Sequence, residues 1–110
     1  MRMARVGEFQ ELVLMAIIVL QDEAHGNEIQ RELEDRLKER ISVGAVQTAL
    51  KRMEQKGLVT SEWGEATQKR GGKRKLIYAA TPYAHQVLRD MKDVRIGFWE
   101  AIANLGTSHG

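Results

Sequence analysis

The stretch Ser42 to Pro82, "SVGAVQTALKRMEQKGLVTSEWGEATQKRGGKRKLIYAATP", places a helix-like segment, two strand-like runs and a new helix start in immediate succession. Val46, Leu50 and Met53 recur at spacings of four and three, which lines them up on one face of a helix. Ser42 is a good N-cap, and Gly57 stands where a left-handed residue ends a helix. The opposite face is left with Gln47, Thr48, Lys51 and Arg52 beside the small Gly44 and Ala45, with no acid before Glu54. Small, amide, hydroxyl and basic groups near a helix N-terminus suit close approach to DNA.

The runs "LVTSEWG" and "KLIYAA" read as two strands. Between and into them fall Lys69, Arg70, Lys73, Arg74 and Lys75, set around the pair Gly71-Gly72. Two strands hold the base of such a hairpin, glycines let backbone approach a phosphate, and the charges supply attraction. Strand alternation puts Lys73 and Lys75 on one side and Arg74 on the other. Thr81-Pro82 is a strong helix start, an N-cap followed by proline at the first helical position.

Four helices with one hairpin between the third and fourth are predicted. Glu8–Leu20 is apolar at Phe9 and almost continuously from Leu12, which predicts a helix buried on nearly every side, a demand on the core of one small chain that is a first hint of a dimer. From about His25 to Glu39 a narrow stripe of Ile29, Leu33 and Leu37 faces inward, and Glu28, Glu32, Arg36 and Lys38 face out. The last helix is predicted to run from Pro82 through Leu105 and to stop at Gly106. Val87, Leu88, Met91, Val94, Phe98, Ile102 and Leu105 keep a three-four rhythm along it. At 1.5 Å per residue it spans about 36 Å, enough to overhang a small domain unless a second copy packs on it.

At 110 residues the chain has the size of one domain, and 43% apolar with 5% aromatic residues describes a soluble globular protein. The absence of cysteine excludes disulfides, thiolate metal sites and a cysteine nucleophile, and fits a cytoplasmic setting. The formal charge is only +2, yet residues 1–40 carry six basic against nine acidic residues while residues 41–80 carry eight against three. A basic face on a nearly neutral chain implies a polyanionic partner, nucleic acid first and an anionic membrane surface second. The apolar run Leu12–Leu20 is too short to span a bilayer.

The motifs "GEFQELVLMAIIVL", "AHGNEIQRELE", "SVGAVQTALKRMEQKGLV" and "WGEATQKRGGKRKLIYAAT" closely resemble the PadR-like transcriptional regulators over about Gly7 to Ala84. The resemblance implies a mainly α fold with a small β-hairpin. A winged helix-turn-helix DNA-binding domain is expected over residues 1–80, and a C-terminal dimerisation helix and tail over 81–110. The single final helix matches the family's smaller branch. Such relatives are dimeric repressors, some releasing DNA when a small hydrophobic or aromatic effector binds between subunits. The family often has Tyr where Gln47 stands here, which bears on the DNA sequence read, because an amide pairs naturally with adenine.

The expected DNA-binding set is Ser42, Gly44, Gln47, Thr48, Lys51 and Arg52 on the third helix, with Lys69, Arg70, Lys73, Arg74 and Lys75 on the wing. Gln47 and Thr48 are the candidates for base edges, and Lys51 and Arg52 for the backbone. Phe9, Met15, Phe98 and Trp99 are candidates for an effector cavity or dimer interface; Trp99 suits packing between subunits as well as stacking on a ligand. Trp63 is expected to pack the wing against the domain. His25, His85 and His109 lack metal-ligand spacing, and no P-loop, dinucleotide fingerprint or nucleophile motif is present. Neither metal, cofactor nor enzymatic activity is therefore expected. The partners expected are double-stranded DNA, a second copy and a small effector, with no membrane. Two other readings stay open: an architectural DNA-binding protein without operator preference, and a helix-mediated protein-interaction module.

Overall fold

The elements follow one another as α1 (Glu8–Leu20), a single 3₁₀ turn (Gln21–Glu23), α2 (Gly26–Leu37), α3 (Val43–Gln55), β1 (Val59–Trp63), β2 (Leu76–Ala80) and α4 (Pro82–His109). The computed structural model describes residues 6–64 and 74–109. Three helices, a two-stranded antiparallel hairpin and a long final helix make up a winged helix-turn-helix.

Helix α2 is shorter at both ends than its sequence pattern suggests. His25 takes the extended N-cap conformation, and Lys38 turns left-handed at φ 58° and stops the helix. The turn that follows is pinned to α2 from both sides of one residue. The Gln30 amide donates to the Ile41 carbonyl at 2.7 Å, and the Ile41 N–H donates to the Glu34 carboxylate at 2.9 Å. Helix α3 then begins at Ser42, whose hydroxyl accepts the Ala45 N–H at 3.0 Å. It ends before Gly57, whose φ of +76° is the left-handed conformation that side chains disfavour.

Strand β1 pairs with β2 from Val59 opposite Ala80 to Trp63 opposite Leu76. The other edge of β2 meets the entry to α2, where the Tyr78 N–H donates to the Ala24 carbonyl at 2.8 Å and His25 bridges Ile77. The hairpin base is thus held against the helix-turn-helix rather than hanging from it.

The core joins Val13, Leu14 and Ile17 of α1, Ile29 and Leu33 of α2, Val46, Leu50 and Met53 of α3, and Leu58, Val59 and Tyr78 around the hairpin. Burial, and secondly the Glu54 carboxylate, push the Tyr78 phenol above its ordinary pKa. The core of one chain leaves part of α1 uncovered, with Met15 and Val19 exposed, and one expectation needs correction, because Leu37 at the end of the α2 stripe stays exposed too. These exposed residues fall on one surface, an apolar groove of about 260 Å³ between α1 and α2.

Helix α4 runs through Gly106 to His109, four residues past its expected end. Glycine stops a helix where the chain turns left-handed, and among the described glycines only Gly57 does so. The 28 residues span about 42 Å. Ala84, Val87 and Met91 are buried in the core, whereas Phe98, Trp99, Ile102 and Leu105 are each more than half exposed. The radius of gyration is 17.0 Å, against about 13 Å for a compact chain of this length. The helix overhangs.

Thr81 ties this helix to the end of α3. Its hydroxyl donates to the Gly57 carbonyl at 2.8 Å, lies 3.3 Å from the Leu58 carbonyl, and accepts the Ala84 N–H at 3.1 Å. Its own N–H donates to the Leu58 carbonyl at 3.0 Å. Thr81→Val keeps the side-chain shape and removes the hydroxyl. The expected loss is about 1–2 kcal/mol, from a lost cap and a carbonyl without its donor. Urea unfolding at fixed protein concentration checks this, and an unchanged midpoint and slope would show that the hydroxyl does not couple the two elements.

Candidate nucleic-acid interface

The outward face of α3 is built as its sequence pattern requires. With Val46, Ala49, Leu50 and Met53 buried, Gly44, Gln47, Thr48, Lys51 and Arg52 are left exposed together with the capping Ser42. Open space surrounds Gly44, where even a Cβ would meet nothing within 4 Å. Backbone can therefore approach a ligand closely at that point. No acidic residue interrupts this face before Glu54, and Glu54 is engaged elsewhere, accepting the Ser61 hydroxyl at 2.9 Å. That bond links α3 to β1 and fixes how the hairpin stands relative to the helix.

The wing charges divide into groups with different surroundings. The Arg74 guanidinium donates from Nε to the Gly64 carbonyl at 3.0 Å, and its Nη2 lies 3.5 Å from the Trp63 carbonyl. Arg74 thus closes the base of the hairpin across its two strands. Lys75 is half-buried and faces a crevice of about 210 Å³ that it shares with Gln47 and the first residues of α2. Lys69, Arg70 and Lys73 lie outside the described residues. Trp63 does not pack the wing onto the domain: it is 60% exposed at the end of β1. The Gln47–Lys75 crevice is the point at which α3 and the hairpin converge.

A helix face bearing amide, hydroxyl and basic groups beside a cationic hairpin base has clear parallels among known proteins. The family model for the transcriptional regulator PadR-like family matches residues 13–90. The chain belongs to the PadR-like family of transcriptional regulators. Solved structures of similar fold include a PadR-like transcriptional regulator from Bacillus cereus, at 21% identity and a TM-score of 0.69, covering 88% of this chain and 89% of that one. A PadR family regulator from Clostridium difficile aligns at 24% identity and a TM-score of 0.64, over 90% and 98% of the two chains. A transcriptional regulator from Thermoplasma acidophilum aligns at 23% identity and 0.65, over 87% and 90%. No match was found among curated proteins. Members of the PadR-like family are transcriptional regulators rather than enzymes, and their winged helix is a DNA-binding fold.

This PadR-like chain carries a further concavity on the side of α1 that faces α4. A groove of about 370 Å³ is lined by Met15, Leu88, Ile96 and Trp99, with Arg89, Lys92 and Arg95 at its edges. Of the residues expected there, Met15 and Trp99 meet in this groove. Phe9 instead packs against the core, and Phe98 is exposed on a different face of α4. The groove also contains an ion pair that the sequence pattern did not reveal. Glu11 is buried on α1, and Arg95 of α4 donates to its carboxylate. That hydrogen bond, and then the Glu11 charge, raise the Arg95 pKa further and keep it protonated. A buried carboxylate without its partner is costly, so the pair favours one placement of α4 on α1. Among the described residues no cluster of His, Asp and Glu could hold a metal, and no helix is long and apolar enough to cross a membrane.

Proposed function

We propose that the chain acts as a homodimeric, sequence-specific repressor whose two α3 helices enter successive major grooves of a nearly two-fold operator. The observation that carries this reading is the convergence of the exposed α3 face and the hairpin base at the Gln47–Lys75 crevice. Ser42, Gly44, Lys51 and Arg52 approach the DNA backbone, while Gln47 and Thr48 face base edges. Lys75 and the wing residues Lys69, Arg70 and Lys73 lie along flanking phosphates, and Arg74 holds the hairpin that presents them.

Dimerisation rests on two apolar surfaces. Phe98, Ile102 and Leu105 on the distal half of α4, and the Met15–Val19–Leu37 groove, are what a second copy covers. In that assembly the α1–α4 groove lies next to the subunit boundary. A small hydrophobic or aromatic effector seated against Trp99 and Met15 then shifts α4 relative to α1. The shift alters the spacing of the two α3 helices and releases the DNA. Residues 1–80 serve as the reading domain and 81–110 as the dimerisation helix and tail, and the protein works in the cytoplasm.

DNase footprinting of the purified protein on the promoters of its own and neighbouring genes tests the reading. Two protected patches centred about 34–36 Å, or a multiple, apart are expected. Uniform protection without preferred sites would instead show an architectural binder. On the protected duplex, Lys75→Ala is expected to weaken binding by a similar factor for every sequence. The slope of log affinity against log salt should become shallower by about one unit. An unchanged slope would remove Lys75 from the phosphate contacts.

A further inference from the structure

Gly26 opens α2, and nothing in its backbone calls for glycine. Among the described glycines only Gly57 has a positive φ. Glycine is a poor helix former beside alanine, so its presence at the start of α2 asks for a reason in the surroundings. The surroundings supply one. Among the described residues, apart from its chain neighbours and its own helix, the one heavy atom within 4 Å of a Cβ at Gly26 is Nε2 of Gln47, only 2.8 Å away. The missing side chain therefore makes room for the amide of a residue 21 positions later on α3.

Gln47 belongs to the exposed face of α3, yet its amide leans across the crevice toward the start of α2 and shares that crevice with Lys75. An amide placed there offers a donor and an acceptor in the same crevice as a cation. That is the arrangement needed to pair with the two adjacent groups on an adenine edge while the neighbouring phosphate is neutralised. A methyl group at Gly26 would push the amide outward by rotating a flexible side chain, without disturbing backbone or core.

We propose that Gly26 is a specificity-determining positioning residue: it sets the direction of the Gln47 amide and thereby the base that Gln47 reads. Gly26 need not touch DNA for this. The inference rests on the sequence-specific reading given above, and links a residue of the first helix of the helix-turn-helix to the readout made by the second.

The test is a double-mutant cycle of wild type, Gly26→Ala, Gln47→Ala and the double variant. Binding is measured by fluorescence anisotropy on the footprinted duplex and its single-base-pair variants. Gly26→Ala is expected to fold with an unchanged circular dichroism spectrum and equal or higher thermal stability, since alanine suits this backbone. It should change the preference among variants at one base position by about fivefold or more, the lower range for a lost bidentate contact. In the Gln47→Ala background the same substitution should change no preference by more than about twofold, as expected when one residue acts only through the other. An unchanged ranking in Gly26→Ala, or a uniform loss of affinity on all sequences, overturns the assignment. So does an equal change of ranking in both backgrounds, which would mean that Gly26 meets DNA itself. A wild-type protein with no preference among the variants would overturn sequence-specific reading altogether, and this assignment with it.

Discussion

A helix of 28 residues is fastened to a domain that covers only its first three turns, and most of the architecture answers to that constraint. The stripe that buries Ala84, Val87 and Met91 continues outward as Val94, Phe98, Ile102 and Leu105 at the same three-four spacing. Nothing along the helix changes the pattern where the domain ends. The same seam that packs inward at one end is therefore ready to pack on another surface at the other. Isolated exposed apolar residues are ordinary on proteins, but a run continuous with the core and matched by a second apolar groove is not.

The constraint reaches beyond α4 because short connections tie its start to the turn after α3. Thr81 places the start of α4 on Gly57 and Leu58, in the turn that follows α3, through its hydroxyl and its own N–H. Glu11 and Arg95 fix the next part of α4 against α1. The Glu54–Ser61 bond carries the orientation of α3 on to the wing. These three separate bonds join α4 to the end of the α3 turn, α4 to α1, and α3 to β1. Each bond is local and modest; together they make the angle between α4 and α3 a property of the fold.

Much of this was legible in the sequence where the signal is local. Ser42 and Thr81 act as caps because a hydroxyl at those positions reaches an N–H three residues on, and Gly57 turns left-handed directly after α3. The buried stripe of α3 followed from spacing alone, and so did the exposed set opposite it. The failures are equally physical. Glycine at 106 does not end a helix when no left-handed turn follows. Trp63 was expected to pack the wing against the domain, yet here it ends β1 and is exposed. The Glu11–Arg95 pair joins residues 84 positions apart, and the Gly26–Gln47 contact joins two helices across a turn. Periodicity reports which face of an element is apolar; it carries no information about which polar group on one element meets a group on another.

Sedimentation equilibrium of the full chain at micromolar concentration probes the seam most directly. Twice the mass of a single chain is expected, as required if the outer half of α4 is covered by a second copy. A single-chain mass at concentrations where the protein still binds its footprinted duplex tightly would contradict it, because one copy would then read DNA with its apolar seam open to water.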